Sequence, residues 1–222
     1  MQARAVCLVS GVGSPVVVRN LGLCDYAEIY QRMQAFNQNR DADTADEIWL
    51  LQHHPVFTLG LNGKPEHVLD AGDIPLIKTD RGGQVTYHGP GQLIVYVLFD
   101  VKRNRLGIRD LVSRLEQSVI DYLATENIQS SARRDAPGVY VQQQKIAALG
   151  LRIKRGGCYH GLSLNVNMDL SPFTRINPCG YAGLEVTSLQ QLGLSYSVNN
   201  VAAALLKNIQ HQFAINQVSI HE

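Results

Sequence analysis

Asn177-Pro178-Cys179-Gly180 places a cysteine between a proline and a glycine, a pairing that fixes a turn around the thiol. Free cysteine is more often a small buried hydrophobe than a nucleophile, but a Pro-x-Gly turn is a poor place for core packing. Cys158, after Gly156-Gly157 and before Tyr159-His160, is the rival thiol. Cys7 and Cys24 read as structural. No two cysteines are spaced Cys-x-x-Cys, which argues against structural zinc.

Arg81-Gly-Gly-Gln-Val-Thr-Tyr-His-Gly-Pro-Gly-Gln92 concentrates four of the chain's 19 glycines. Glycine admits positive φ and close approach of backbone to a ligand. The spacing matches neither a dinucleotide fingerprint nor a P-loop. The segment reads either as a tight hairpin or, given Arg81, Tyr87 and His88, as a loop lining a substrate. Lys145-Ile-Ala-Ala-Leu-Gly150 carries the third reactive group. By strand alternation Lys145 shares a face with Ala147, Leu149, Leu151 and Ile153. Burial there lowers an amine's pKa and makes it usable near neutral pH; a solvated lysine at a hairpin tip is the alternative. The adjacent His53 and His54 would point to opposite strand faces, and Cys158-x-His160 has no second ligand pair. No metal site is expected, and His88 and His160 read as pocket or satisfied core histidines.

These residues sit in a chain of 222 residues with 45% apolar and 18% charged side chains, Lys+Arg 20 against Asp+Glu 19, and a net charge of +1. That balance excludes bulk disorder and a dedicated nucleic-acid binder. No apolar run approaches the ~18 residues of a membrane span, and Ala5–Val9 is too short for a signal-peptide core. The expectation is a cytoplasmic protein with reduced cysteines. At about 150 residues per domain the length allows one large domain or two small ones. No linker or repeat divides it, so one domain over residues 1–222 is expected.

The elements that must position the reactive groups follow from hydrophobic periodicity. Strands are expected over Arg4–Val9, Glu47–Gln52, Leu93–Phe99 and Gly161–Asn167, and a hairpin over Pro137–Ile153. Gly11–Pro15 reads as a turn and 60–72 as a loop. A helix follows Asp25, with Glu28 completing a capping box. A second runs through Ile108, Leu111, Val112, Leu115, Val119 and Tyr122, and a third follows Ser197 as cap. Strands outnumber helices without regular alternation, which predicts an α+β fold with a mixed, largely antiparallel sheet flanked by helices.

His54-Pro-Val-Phe-Thr-Leu-Gly60, Arg81–Gln92, Gly138-Val-Tyr140 with Lys145–Gly150, His160-Gly-Leu-Ser-Leu-Asn165 and Asn177–Gly180 together resemble the octanoyltransferases of lipoate biosynthesis. The resemblance covers about residues 47–190 and departs only in His53, where a Glu-His pair is commoner. It implies the fold of biotin and lipoate protein ligases. It also implies transfer of an octanoyl group from octanoyl-acyl carrier protein to a lysine of a lipoyl domain, through a thioester on Cys179. Lys145 would lower the pKa of that thiol. Arg81, Gly82, Gly83, Gln84, Val85, Thr86, Tyr87 and His88, with Ala148, Leu149, Gly150, Gly161, Leu162 and Ser163, would bind the acyl substrate. Acceptors would be lipoyl domains of 2-oxoacid dehydrogenase complexes and the glycine cleavage H protein. No cofactor, no nucleic acid and no membrane partner is implied, and a monomer is expected. The rivals are an ATP-dependent ligase of the same fold, an inactive carrier-binding module, and a cysteine hydrolase pairing Cys179 with His88 or His160. Lys102-Arg103-x-Arg105, Arg133-Arg134 and Arg152-x-Lys154-Arg155 are the local basic clusters, and one of them is expected to dock the acidic carrier.

Overall fold

The computed structural model describes residues 16–221, Cys179 through its backbone. The strand and turn expected over Arg4–Val9 and Gly11–Pro15 lie outside the described residues. The order is β1 (Val16–Cys24), α1 (Tyr26–Asn39), β2 (Glu47–His53), β3 (Val56–Leu59), a 3-10 turn (Pro65–His67), β4 (Leu76–Lys78), β5 (Val85–His88), β6 (Gln92–Leu98) and α2 (Ile108–Thr125). There follow β7 (Ser131–Ala132), β8 (Gly138–Val141), β9 (Gln144–Lys154), β10 (Gly157–Asn165), 3-10 turns at Ser171–Arg175 and Pro178–Gly180, α3 (Val198–Phe213) and β11 (Val218–His221).

One sheet has eight strands in the order β11-β1-β2-β6-β10-β9-β8-β7; a second has three, β4-β3-β5. Among the described strands only β11–β1, β1–β2 and β3–β4 pair in parallel, so the mixed, largely antiparallel expectation holds. Strand β6 is buried along its whole length because both faces of the large sheet are covered. Leu93, Val95 and Val97 pack with Leu111 and Leu115 of α2 and Val201 and Leu205 of α3. Ile94, Tyr96 and Leu98 alternate onto the opposite face, against Ile29 and Met33 of α1 and Trp49. The small sheet has its own core of Phe57, Leu59, Val85 and Tyr87 against Met168, Phe173 and Ile176.

Ser197 caps α3 as expected, its Oγ accepting from Asn200 N at 3.2 Å. Asp25 occupies the N-cap of α1 but makes no side-chain cap bond. Glu28 instead lies 3.7 Å from Arg32, one turn on. Strand β1 has no clean alternation, because its register slips between Asn20 and Gly22; that irregularity hides it in the sequence.

Candidate active site

The start of β9, the 3-10 turn Pro178–Gly180 and β5 converge at the β8–β9 side of the large sheet. They enclose a narrow cavity lined by Thr86, Lys145, Ile146, Ala147, Ala148, Ser163, Asn165, Phe173, Pro178 and Val186. Lys145 is only 3% exposed, which settles the choice between a buried lysine and a solvated hairpin tip. The hairpin turns at Gln142 and Gln143, both at positive φ, and Lys145 lies just inside it.

The backbone of Lys145 is clamped by the segment that follows the cysteine turn. Its N–H donates to Glu185 O at 2.9 Å, and its carbonyl accepts from Thr187 N at 3.0 Å. Its Nζ donates to Pro137 O at 3.1 Å and sits 5.1 Å from the centre of the Tyr140 ring. A carbonyl oxygen and an aromatic face both favour the charged amine.

The turn bearing Cys179 is held on both sides. Asn177 N donates to His67 O at 2.8 Å and Gly180 N to Asn177 O at 3.0 Å. Gly180 has φ +78°, a conformation that favours glycine. Tyr181 Oη donates to Asp135 O at 3.2 Å, tying this turn to the segment that carries Pro137.

The glycine-rich loop packs across β9 and β10. Gly82 N donates to Leu151 O at 3.0 Å. Arg81 is itself buried and ties the loop together. Its Nη2 donates to Thr58 O at 2.7 Å and Gln84 O at 2.8 Å, and its Nη1 to Gly82 O at 2.8 Å. Thr86, Ala148 and Ser163 reach the cavity with Lys145, Ala148 and Ser163 as cross-strand partners. Gly150 and Gly161 also pair, with the loop lying against Gly150. Leu162 is part of the main helical-side core, with Leu149 packed against it. Val85 and Tyr87 pack into the core of the small sheet. Gly83 has φ +88°, and Gln84 Oε1 accepts from Lys64 N at 3.0 Å. The cluster therefore divides into cavity wall, loop scaffold and core.

A buried polar chain joins loop to cavity. Asn165 Nδ2 donates to Thr187 O at 2.9 Å, and its Oδ1 accepts from Gln92 Nε2 at 2.9 Å. Gln92 Oε1 thus faces His88 Nδ1 at 2.7 Å as acceptor, which assigns the proton to Nδ1. Burial pushes His88 down to about 3, so its ring is neutral. His160 sits against Asp80, Nε2 to Oδ1 at 3.2 Å, and burial lowers its pKa as well. Both are structurally committed histidines. Cys158 is fully buried, and burial pushes its thiol up to about 12, the signature of an inert cysteine.

Residues 25–210 match the family described as the lipoyl protein ligase A/B catalytic domain. The octanoyltransferase of Chromobacterium violaceum is 54% identical over 203 residues, covering 91% of this chain and 98% of that protein. The octanoyltransferase of Escherichia coli is 58% identical over 194 residues, covering 87% of this chain and 91% of that one. The chain belongs to the octanoyltransferase family. As a member of that family it is an acyltransferase.

Solved structures establish that the octanoyltransferase-family chain has the expected ligase fold. A bi-partite lipoate protein ligase from Thermoplasma acidophilum superposes with TM-score 0.75 at 14% identity, over 94% of this chain and 86% of that one. A biotin protein ligase from Aquifex aeolicus gives TM-score 0.52 at 14% identity, over 90% and 69% of the two chains. Among the described residues no group of three or more His, Cys, Asp or Glu is placed to hold a metal ion, and no helix is long and apolar enough to cross a membrane.

Reading from sequence missed Glu116, Pro137 and Val186, which shape the Lys145 environment. Glu116 alone left a trace, as an acidic residue within the apolar stripe of α2, four residues after Val112 and three before Val119.

Proposed function

We propose that the chain transfers an octanoyl group from octanoyl-acyl carrier protein to a lysine of a lipoyl domain, with Cys179 as nucleophile and Lys145 as proton-transfer group. The observation that carries this reading is a buried lysine lining the same cavity as Pro178 of the cysteine turn. A buried cation near a thiol favours the thiolate, which an isolated thiol of pKa ~8.5 supplies only to a few per cent at neutral pH.

In the first half-reaction the Cys179 thiolate attacks the donor thioester carbonyl. The tetrahedral adduct collapses, breaking the bond to the pantetheine sulfur, and the Lys145 ammonium gives that sulfur a proton. The products are a Cys179 octanoyl thioester, a free pantetheine thiol and a neutral Lys145. In the second half the acceptor ε-amine attacks the thioester. Lys145 takes up the amine proton as the carbon–sulfur bond breaks, restoring thiolate and ammonium. One group acting as acid and then base needs a pKa near the operating pH.

Thr86, Ala148 and Ser163 would line the acyl path, with Gly150 letting the glycine-rich loop lie close against β9. The acceptors would be lipoyl domains of 2-oxoacid dehydrogenase complexes and the glycine cleavage H protein. One catalytic domain would act as a monomer, in a reducing, cytoplasmic setting that keeps the thiol free.

The test is incubation with octanoyl-acyl carrier protein, without ATP or acceptor, followed by intact mass and peptide mapping. A hydroxylamine-labile octanoyl adduct on Cys179 is expected, and Lys145→Met should slow transfer by about 10²–10⁴-fold. Transfer that requires ATP and magnesium would replace this reading with the ligase one. Free octanoate released without acceptor modification would favour a hydrolase.

A further inference from the structure

Glu116, on α2, is a carboxylate only 8% exposed, and the mechanism above does not use it. Its Oε1 accepts from Gly138 N at 2.8 Å. The carbonyl of that same peptide group, Pro137 O, accepts from Lys145 Nζ at 3.1 Å. Carboxylate, peptide and amine thus form one continuous hydrogen-bonded line. A carboxylate at the N–H end of a peptide polarises it, so its carbonyl becomes a stronger acceptor for an ammonium at the other end. The line depends on glycine at 138. Its φ is +146°, and a Cβ there would come 2.6 Å from Ala147 O, 3.0 Å from Lys145 Cε and 3.2 Å from Nζ.

We infer that Glu116 is a positioning residue for Lys145, acting through the 137–138 peptide to hold it in place and keep it protonated. The interaction is visible from the other end. Burial pushes the Glu116 carboxyl up, while the Gly138 N–H and the positive charge of Lys145 draw it back down. Among the described residues, the other titratable groups around Lys145 come from two segments. Tyr140 presents its ring to Nζ, with Arg133 also 5.1 Å from that ring and paired to Asp135 at 2.6 Å. The Glu185 carboxylate is engaged by Gln144 Nε2 at 2.8 Å on the exposed side of the hairpin. Glu116 is the acidic group joined to Lys145 by the 137–138 peptide.

The inference rests on Lys145 being the proton-transfer group proposed above. Glu116→Gln keeps a neutral acceptor for Gly138 N and removes the charge. The alkaline limb of the kcat/KM profile, set by loss of the Lys145 proton, is expected to move down by about one pH unit. A uniform loss of rate with the limb unmoved would mean that Glu116 only braces β8, and would overturn the inference. On the unaltered protein, the Gly138 amide proton followed by NMR should titrate with the same midpoint as that limb. It should stop doing so in Lys145→Met. An amide that stays still through the limb overturns the inference even where Glu116→Gln does not fold. Full activity of Lys145→Met would instead remove the proposed role of Lys145 itself, so the two failures are distinguishable.

Discussion

Gly161 of β10 lies directly opposite Gly150 of β9, and a Cβ on either would collide. At Gly161 it would meet Val95 O at 2.0 Å; at Gly150 it would meet Arg81 Cδ and Gly82 O, each at 3.1 Å. The first obstacle is the backbone of the central strand, which cannot yield without parting the sheet. Gly161→Ala should therefore cost about 3 kcal/mol, a fall in Tm of roughly 10 °C. The second obstacle is the glycine-rich loop, which can lift by a few tenths of an ångström. Gly150→Ala should leave Tm nearly in place and raise the KM for the octanoyl donor several-fold. Equal losses of stability in both would mean that the loop is as rigid as the sheet.

The cysteines should separate cleanly by reactivity. Cys158 is fully buried among core side chains, and its thiol is pushed up to about 12 by that burial. An alkylating agent needs thiolate and access. Native protein treated with iodoacetamide should leave Cys158 unmodified until the chain unfolds, and Cys179 should be labelled first. Peptide mapping before and after denaturant reads this directly. Rapid native labelling of Cys158 would show that β10 opens locally.

Acid should destabilise the protein before its carboxylates titrate. Burial pushes His53 down to about 4 and His88 down to about 3. Both lie below the ordinary value near 6.5, so in this range the unfolded chain binds protons that the folded chain does not. Stability then falls as pH drops from about 6.5 towards 4, by up to about 1.4 kcal/mol per pH unit for each histidine. Asp80 acts lower. The His160, Tyr159 and Tyr30 contacts hold its carboxyl well below the usual range against burial, so its contribution is kept above about pH 3.8 and is lost beneath it. Urea unfolding at pH 7, 6, 5 and 4.5 should show the histidine slope, and a flat profile would mean that these rings take up protons in the folded state.

The parts of this molecule legible in sequence are those set by local pattern. Leu93–Phe99 reads as a central strand because both its faces are apolar, and Ser197 reads as a cap because a hydroxyl precedes a clean helical stripe. The small sheet hides because Val56–Leu59 is four residues long and pairs with β4 and β5 beyond its own neighbourhood. At the site, residue type marked Lys145, while the backbone bonds that clamp its strand come from Thr187 and Glu185, some forty residues away in sequence. Glu116 shows in the sequence only as an acidic residue inside an apolar helical stripe; its meaning lies in a bond to Gly138 across 22 residues. Arg81 reads as one of the residues marking a substrate-lining loop; its guanidinium also bonds Thr58, Gly82 and Gln84, and a glycine-rich loop has few other side chains to hold its shape.

The three basic clusters are not equivalent in space. Val101 N donates to Gly156 O at 2.9 Å, so the Lys102–Arg105 loop and the Lys154-Arg155 turn form one patch. Within it Arg103 is exposed but committed to an ion pair, donating to Asp46 Oδ1 at 2.7 Å. The patch lies at the far end of β9 from Lys145, about 30 Å along the strand at ~3.3 Å per residue. Arg134 is exposed and only three residues from Pro137, whose carbonyl holds Lys145. If the donor is an acidic carrier, Arg134 is the basic residue expected to meet it, because it lies close in sequence to the peptide that holds Lys145. Charge at the rim of an encounter surface acts chiefly on association and its salt dependence. Arg134→Glu should therefore lower kcat/KM for octanoyl-acyl carrier protein by about tenfold in low salt and flatten its dependence on ionic strength, while kcat stays within about twofold. Arg155→Glu should change neither. If the effects fall on Arg155 instead, the carrier body docks at the distal patch and its arm must cross the face of the sheet to reach Cys179.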